Sequence, residues 1–143
     1  MKTILVPVDF SDVTTAVLSA AQTLAQAFGS KIILLHVSEP EPDFVGFESG
    51  PQTVRMSVAR DFHTEHRRLE ELKGTLVVES LALHIQGPMA EKILLQAAEH
   101  GADLIVMGSH GHGALYELLV GSVTSSVLKS AVCPVLVVPA RRS

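Results

Sequence analysis

Hydrophobic residues in this chain fall into two kinds of segment that alternate along its length. Short continuous apolar runs, as in residues 4–9 and 31–37, are typical of strands buried on both faces of a parallel sheet. Longer segments place apolar residues three or four positions apart, which is the spacing of an amphipathic helix. The first such segment covers residues 13–28, with Ser11 predicted as its N-terminal cap and Gly29 as its end.

The same alternation continues to the end of the chain. Further strands are predicted over residues 75–85, 103–107 and 134–139, and further helices over residues 54–73, 88–100 and 123–131. Residues 38–52 are rich in Pro, Glu, Asp and Gly and predict a surface loop. Because strands joined through helices lie parallel with right-handed crossovers, we predict one α/β domain over residues 1–143. It is a Rossmann-like three-layer sandwich: a five-stranded parallel sheet of order 3-2-1-4-5 with helices on both faces.

Glycines are concentrated between the fourth strand and the last helix, at Gly108, Gly111, Gly113 and Gly121. Glycine lets backbone amides approach a ligand closely, and the N-terminus of the following helix offers unpaired N–H groups. Both features favour a phosphate ligand. The spacing matches neither a Walker loop, which needs a Gly-Lys pair that this chain lacks, nor the dinucleotide fingerprint G-x-G-x-x-G. We therefore predict a phosphate-binding loop of another class.

In the sheet order 3-2-1-4-5 the winding reverses between strands one and four, which is where open α/β sheets bind ligands. Asp9 and Gly108 end these two strands. We predict that Asp9 contacts a sugar or base, because a carboxylate beside phosphates would be repelled. The alternative is a strand-end carboxylate that caps the next helix.

Composition excludes several classes of partner. The formal net charge is −4 and no long Lys/Arg block is present, so nucleic acid is not an expected partner. No apolar run approaches the roughly 18 residues of a membrane span and the N-terminus is not a signal peptide, so we expect a cytoplasmic protein without membrane contact. The single cysteine, Cys133, excludes an internal disulfide and is predicted to be a small buried hydrophobe.

The histidines indicate neither a metal site nor a catalytic one. His110 and His112 are predicted to be solvated loop residues that touch phosphate, because the chain has no H-E-x-x-H motif and no second cysteine. His36 is predicted to be a hydrogen-bonded core residue, whereas His63 and His66 are predicted to face water. No activated nucleophile is apparent, so no catalytic residue is predicted.

Several motifs together resemble the universal stress protein family over nearly the whole chain. They are Ile-Leu-Val-Pro-Val-Asp-Phe-Ser at residues 4–11, Ala-Asp-Leu-Ile-Val-Met-Gly at 102–108, Gly-Ser-Val at 121–123 and Cys-Pro-Val-Leu-Val-Val-Pro at 133–139. The spacing of Gly108, Gly111 and Gly121-Ser122 resembles the ATP-binding signature of that family. The resemblance implies adenine and ribose at the ends of strands one and two, with phosphates along the glycine loop. The implied contact residues are Pro7, Val8, Asp9, Val37, Met107, Gly108, His110, Gly111, Gly121, Ser122, Val123 and Thr124.

The resemblance implies ATP, or another adenine nucleotide, as ligand, and we expect Mg²⁺ or Mn²⁺ to be held through the phosphates and not by a protein-only site. The first hypothesis is a regulatory module of the stress response. The alternatives are a slow ATP hydrolase or nucleotidyl-transferring enzyme, and a dimeric stress scaffold with a vestigial site. An apolar edge strand between Pro134 and Pro139 predicts a homodimer through residues 134–139, as the resemblance also implies. The sequence does not identify a downstream protein partner.

Overall fold

A computed structural model shows the predicted alternation of strands and helices. It describes residues 1–38, 51–109 and 120–140, with side chains in the second helix described from residue 62 onward. The strands are β1 (Thr3–Pro7), β2 (Lys31–Ser38), β3 (Ser80–Gln86), β4 (Leu104–Gly108) and β5 (Val135–Val138). The helices are α1 (Thr14–Phe28), α2 (Pro51–Gly74), α3 (Met89–Glu99) and α4 (Ser122–Ser130). The sheet is parallel with the order β3-β2-β1-β4-β5, which confirms the predicted fold class.

The continuous apolar runs in β1, β2 and β4 are explained by a core on each face of the sheet. On one face, side chains of these strands pack against α1 and α2; on the other, they pack against α3 and α4. The first cluster includes Ile4, Val6, Leu34, Val17, Ala21 and Leu69. The second includes Leu5, Ile33, Ile105, Ile93, Ala97 and Val127. Both layers leave the carboxyl ends of the central strands together at one edge.

The start of α1 differs from the prediction, because Ser11 does not cap it. The cap position is Val13, without a side-chain cap, and the Ser11 backbone carbonyl accepts the Thr14 N–H at 3.1 Å. The Asp9 carboxylate accepts the Ser11 N–H at 3.0 Å, so this serine belongs to a turn that precedes the helix. The predicted end of α1 is confirmed, since Gly29 adopts a left-handed conformation with φ of 65°.

Several element boundaries also move. β1 ends at Pro7, two residues before Asp9, and β3 begins only at Ser80, because the N–H of Thr75 still bonds to the Leu72 carbonyl at the end of α2. The predicted loop over residues 38–52 is too long at both ends. Ser38 completes β2 by accepting the Gly87 N–H at 3.0 Å, and residues 51 and 52 begin α2. The remainder, residues 39–50, lies outside the described part of the chain.

Candidate functional site

The crevice predicted at the switch point of the sheet is present between β1 and β4. Their pairing covers Ile4 with Leu104 and Leu5 with Ile105 and stops there, although β1 continues to Pro7 and β4 to Gly108. On their other sides the same strand ends remain paired, β1 with β2 and β4 with β5. The two central strands therefore separate at their carboxyl ends, which is where a ligand enters this class of sheet.

Helix α4 begins beside the end of β4 without a side-chain cap. Its cap residue is Gly121, and the first helical hydrogen bond runs from the Ser125 N–H to the Gly121 carbonyl at 2.9 Å. The amides of Ser122, Val123 and Thr124 precede that bond and have no acceptor within the helix. An uncapped helix start with N–H groups ahead of the helical bonds is suited to binding an anion.

Two hydrogen bonds hold the start of α4 against the end of β4. The Gly121 N–H donates to the Ser109 carbonyl at 2.7 Å, and the Thr124 hydroxyl donates to the Gly108 carbonyl at 2.8 Å. Ser109 is itself attached to the neighbouring strand, because its N–H donates to the Val138 carbonyl at 2.8 Å. The helix N-terminus is thus fixed to the sheet by backbone and side-chain contacts that involve no ligand.

The β1 side of the crevice is an ordered turn. The N–H of Val8 donates to the Leu35 carbonyl at 2.8 Å, and the half-buried Asp9 accepts the Ser11 N–H. Asp9 therefore does not cap α1, whose cap position is Val13. Phe10 has a φ of 61°, a conformation that costs a residue with a Cβ roughly 1 to 3 kcal/mol and is concentrated at functional sites. The turn holds the Asp9 carboxylate at the mouth of the crevice.

The predicted ligand contacts fall into three groups. The structure brings together the ends of β1 (Pro7, Val8 and Asp9), the end of β4 (Met107 and Gly108) and the start of α4 (Gly121, Ser122, Val123 and Thr124). Val37 lies on β2 opposite Ile85 with a buried side chain in the core facing α3 and α4. His110 and Gly111 lie outside the described residues.

Among the residues at the crevice, the buried ones contribute little side-chain chemistry. Met107 is buried and the half-buried Val123 packs against the same core, so any ligand contact by these two is with backbone or an apolar surface. Thr124 is 2% exposed and has given its only hydroxyl proton to Gly108. Ser122 is exposed at the first helical position.

Sequence reasoning missed a polar cluster on the face covered by α2. His36 on β2 and His84 on β3 are direct partners in the strand register, and Glu65 of α2 lies against both. Burial alone would raise the pKa of Glu65, but hydrogen bonds from His36 and Ser38 outweigh it and hold this pKa below 4.5. Burial lowers the pKa of His84 below 6.5, and the charge of His36 adds to that effect. Only the register between β2 and β3 could have revealed this pairing.

The predictions for His36, His63, His66 and Cys133 are largely confirmed, whereas His110 and His112 lie outside the described residues. His36 is buried and hydrogen-bonded at both ring nitrogens, while His63 and His66 are exposed. Cys133 is half-buried and packs beside the core, and burial raises the pKa of its thiol, which keeps it protonated. Within the described ranges, no helix combines the length and apolar character needed to cross a membrane.

Comparison with known proteins identifies relatives along the full length of the chain. The model of the universal stress protein family matches residues 1–139. The "Universal stress protein in QAH/OAS sulfhydrylase 3'region" of Thermus aquaticus is 39% identical over 137 residues, covering 96% of this chain and 98% of that protein. Universal stress protein MJ0577 of Methanocaldococcus jannaschii is 32% identical over 158 residues, covering 99% and 97% of the two chains.

Solved structures agree with the sequence comparison. The structure of MJ0577 superposes with a TM-score of 0.76 at 30% identity, covering 99% of this chain and 98% of the other. A universal stress protein solved in complex with cAMP superposes with a TM-score of 0.68 at 22% identity, covering 96% of each chain. At that identity the second likeness demonstrates the shared fold.

Proposed function

The chain belongs to the universal stress protein family, and we propose that it is a regulatory module of the stress response that binds an adenine nucleotide, ATP in the first place. One observation carries this proposal. The uncapped start of α4 is fixed to the end of β4 at the point where β1 and β4 separate. A nucleotide with its phosphates at this helix start would extend across the crevice, with its ribose and base on the β1 side near the turn at Asp9.

The phosphates bind through backbone groups in this proposal. A helix N-terminus contributes only about 0.3 to 1 kcal/mol to a nearby charge, whereas each hydrogen bond to a charged group contributes roughly 1.5 to 3 kcal/mol. The amides of Ser122, Val123 and Thr124 are donors suited to that role, and the glycine loop with His110 and Gly111 completes the cradle. Mg²⁺ or Mn²⁺ neutralises the phosphate charge from the solvent side, where the exposed Ser122 hydroxyl is an oxygen ligand of the kind these ions accept.

The sugar and base lie by the ends of β1 and β2 in this proposal. Asp9 is a hydrogen-bond acceptor for ribose hydroxyls, and its own turn already orients it. The side chains of Val8 and Val37 are buried in different cores, so Pro7, Val8 and Val37 are assigned to the base through backbone contacts. A protein of the same fold has been solved with cAMP, so the fold accommodates an adenine nucleotide.

Binding and regulation suit the described residues better than catalysis. Thr124 has given its hydroxyl proton to the Gly108 carbonyl, and among the described residues no hydrogen bond joins the exposed Ser122 to a general base, so neither hydroxyl is activated as a nucleophile. We place the protein in the cytoplasm as part of this proposal, since Cys133 is its one cysteine and no disulfide framework is possible.

We further propose that the module is a homodimer through β5. This strand is an edge of the sheet, and the carbonyls of Pro134, just before it, and of Val138, at its end, accept the N–H groups of Ile105 and Ser109 on the β4 side. Alternation along a strand turns the backbone groups of Val135 and Val137 outward, away from β4. Leu136 is 39% exposed on the same strand. A two-fold axis that brings two such edges together antiparallel would satisfy these outward groups.

Mass spectrometry of small molecules released from the purified protein, prepared without added nucleotide, tests the binding proposal. We expect ATP or another adenine nucleotide, and calorimetry with ATP, ADP, AMP and GTP ranks the ligands. Absence of any adenine nucleotide, together with no heat of binding at millimolar ATP, would contradict it. Multiple turnovers of phosphate release with magnesium would show a hydrolase instead of a regulatory module.

A further inference from the structure

The polar cluster beneath α2 has the composition of a transition-metal site. His36, Glu65 and His84 each offer a ligand atom, and these atoms lie within 4.8 Å of one another. The two imidazole side chains are 5% and 1% exposed, and the glutamate side chain is 32% exposed. The histidines come from adjacent strands in direct register, so the sheet itself sets their separation. The cluster is built on rigid elements and shares no residue with the crevice contacts named above.

His36 is oriented as a ligand would be. Its Nδ1 lies 2.8 Å from the carbonyl oxygen of Val8, and because a carbonyl only accepts, the hydrogen must be on Nδ1. The other nitrogen, Nε2, donates to the Glu65 carboxylate at 2.7 Å, and a metal bound between the two groups would replace that proton. A backbone carbonyl that fixes one ring nitrogen while the other faces the metal is the usual support of a metal-bound histidine.

His84 is directed at the same point by packing. Its ring stacks on Phe62 with the centroids 3.8 Å apart and the planes 8° from parallel. Its Nε2 lies 2.6 Å from the Ser38 hydroxyl and 4.0 Å from Glu65 Oε1, and that hydroxyl donates to the same carboxylate at 3.0 Å. Since the hydroxyl has one proton and gives it to Glu65, His84 Nε2–H donates to the hydroxyl oxygen, and a metal at this nitrogen would replace that proton.

The distances are close to those of a tetrahedral centre. Bonds of about 2.0 to 2.1 Å place neighbouring ligand atoms about 3.3 Å apart. The separations from Glu65 Oε2 to His36 Nε2 and from Glu65 Oε1 to His84 Nε2, 2.7 and 4.0 Å, lie on either side of that value, and the three ligand atoms all lie within 4.8 Å of one another. A shift of less than about 1 Å by the partly exposed Glu65 side chain would equalise them.

We propose that His36 Nε2, His84 Nε2 and the Glu65 carboxylate form a zinc site, with water or the Ser38 hydroxyl as the fourth ligand. Two imidazoles and one carboxylate suit Zn²⁺, whereas Mg²⁺ and Ca²⁺ prefer oxygen ligands throughout. This departs from the expectation that metal is held only through nucleotide phosphates. It is also independent of the proposed function, because it needs no nucleotide. The competing interpretation is a hydrogen-bond network that only attaches α2 to the sheet.

Zinc titration of the full chain, chelator-treated and free of a polyhistidine tag and of nucleotide, distinguishes these interpretations. We expect about one Zn²⁺ per chain, and with Co²⁺ as the probe the intense visible bands of a tetrahedral centre. His84→Gln and Glu65→Gln keep hydrogen-bonding capacity but remove a good ligand, and each should weaken zinc at least tenfold while retaining the far-UV circular dichroism of the parent. His63→Gln, an exposed change on the same helix, is the matched control and should leave zinc affinity unchanged.

Two results would overturn the zinc site. One is no saturable zinc binding by the parent at micromolar metal. The other is undiminished binding in both His84→Gln and Glu65→Gln, which would assign the metal to other histidines of the chain. Because His36 is buried, the zinc affinity of His36→Gln is informative only if this variant folds. The zinc affinities of His84→Gln and Glu65→Gln decide the question without it. Failure of ATP binding would not affect any of these outcomes.

Discussion

Replacing Thr124 by valine tests whether its hydroxyl positions α4 or contacts the ligand. The hydroxyl donates to the Gly108 carbonyl at 2.8 Å and the side chain is 2% exposed. The N–H groups of Ile105 and Ser109 point to the β5 side, where Pro134 and Val138 accept them. Alternation along β4 therefore turns the Gly108 carbonyl toward β1, where pairing has already ended. Thr124 therefore supplies the hydrogen bond that β1 no longer provides.

The size of the effect follows from that geometry. Valine has nearly the shape of threonine, so packing is retained and one hydrogen bond is lost. A net hydrogen bond contributes about 0.5 to 1.5 kcal/mol, and a buried acceptor left without a partner costs about 1 to 3 kcal/mol. Because Gly108 is only partly buried, we expect the free energy of unfolding to fall by about 1 to 2 kcal/mol, which is a decrease in Tm of about 3 to 8 °C for a chain of this size.

Urea unfolding of the nucleotide-free protein, followed by circular dichroism, measures this change. Thr124→Ser is the matched control for the hydroxyl, and we expect it to keep ATP affinity. Because the start of α4 loses one of its two attachments, ATP affinity should weaken in Thr124→Val. An unchanged unfolding midpoint with greatly weakened ATP would refute the reasoning, since the hydroxyl would then act on the ligand and not on Gly108.

Three further predictions concern the crevice, the edge strand and the N-terminal strand. Gly121 has φ of −76° and ψ of 172°, which valine adopts readily, so Gly121→Val should fold normally. Its affinity for ATP, measured by calorimetry, should fall by roughly 10- to 150-fold, which corresponds to the loss of one charged hydrogen bond. Leu136→Lys should shift the chain from dimer to monomer in light scattering, because like charges would meet near the axis; Val135 is a poorer choice because it packs on the core. The backbone N–H groups of Lys2 and Thr3 donate to the Asp103 carboxylate at 2.7 and 3.1 Å and hold its pKa below 3.8. These two hydrogen bonds to the ionised carboxylate stabilise the fold above pH 3.8, and their contribution is lost as the pH falls below that value. In urea unfolding, Asp103→Asn should therefore be less stable than the parent at neutral pH, and the difference should disappear in acid.

Sequence alone predicts the sheet because two periodicities and one rule of handedness determine it. Continuous apolar strands such as residues 31–37 must be covered on both faces, and right-handed crossovers then leave few strand orders. What sequence could not predict was local competition for backbone donors. Asp9 takes the N–H of Ser11 and forms a turn, so the helix begins three residues after that serine, at Thr14.

The candidate site divides in the same way. Asp9, Gly108 and Gly121 could be placed at one edge from topology, because all three follow or precede elements whose ends meet there. The cluster of His36 and His84 could not, because it depends on the register of two strands and on which face of α2 carries Glu65. Polar residues on an edge strand such as β3 are usually solvated, and the His84 side chain is buried because α2 covers it.

Hydrogen exchange offers a direct test of the amide cradle, residue by residue. The N–H groups of Val8 and Gly121 donate to Leu35 and Ser109 within the protein, so both should be protected before any nucleotide is added. The amides of Ser122 and Val123 have no acceptor in the helix, and we expect them to exchange rapidly in the nucleotide-free protein and to become protected when ATP is present. Ser125, whose N–H bonds to the Gly121 carbonyl, is the internal control and should be protected in both states. If ATP binds and the exchange of Ser122 and Val123 does not change, the phosphates are held elsewhere and the start of α4 is not the cradle.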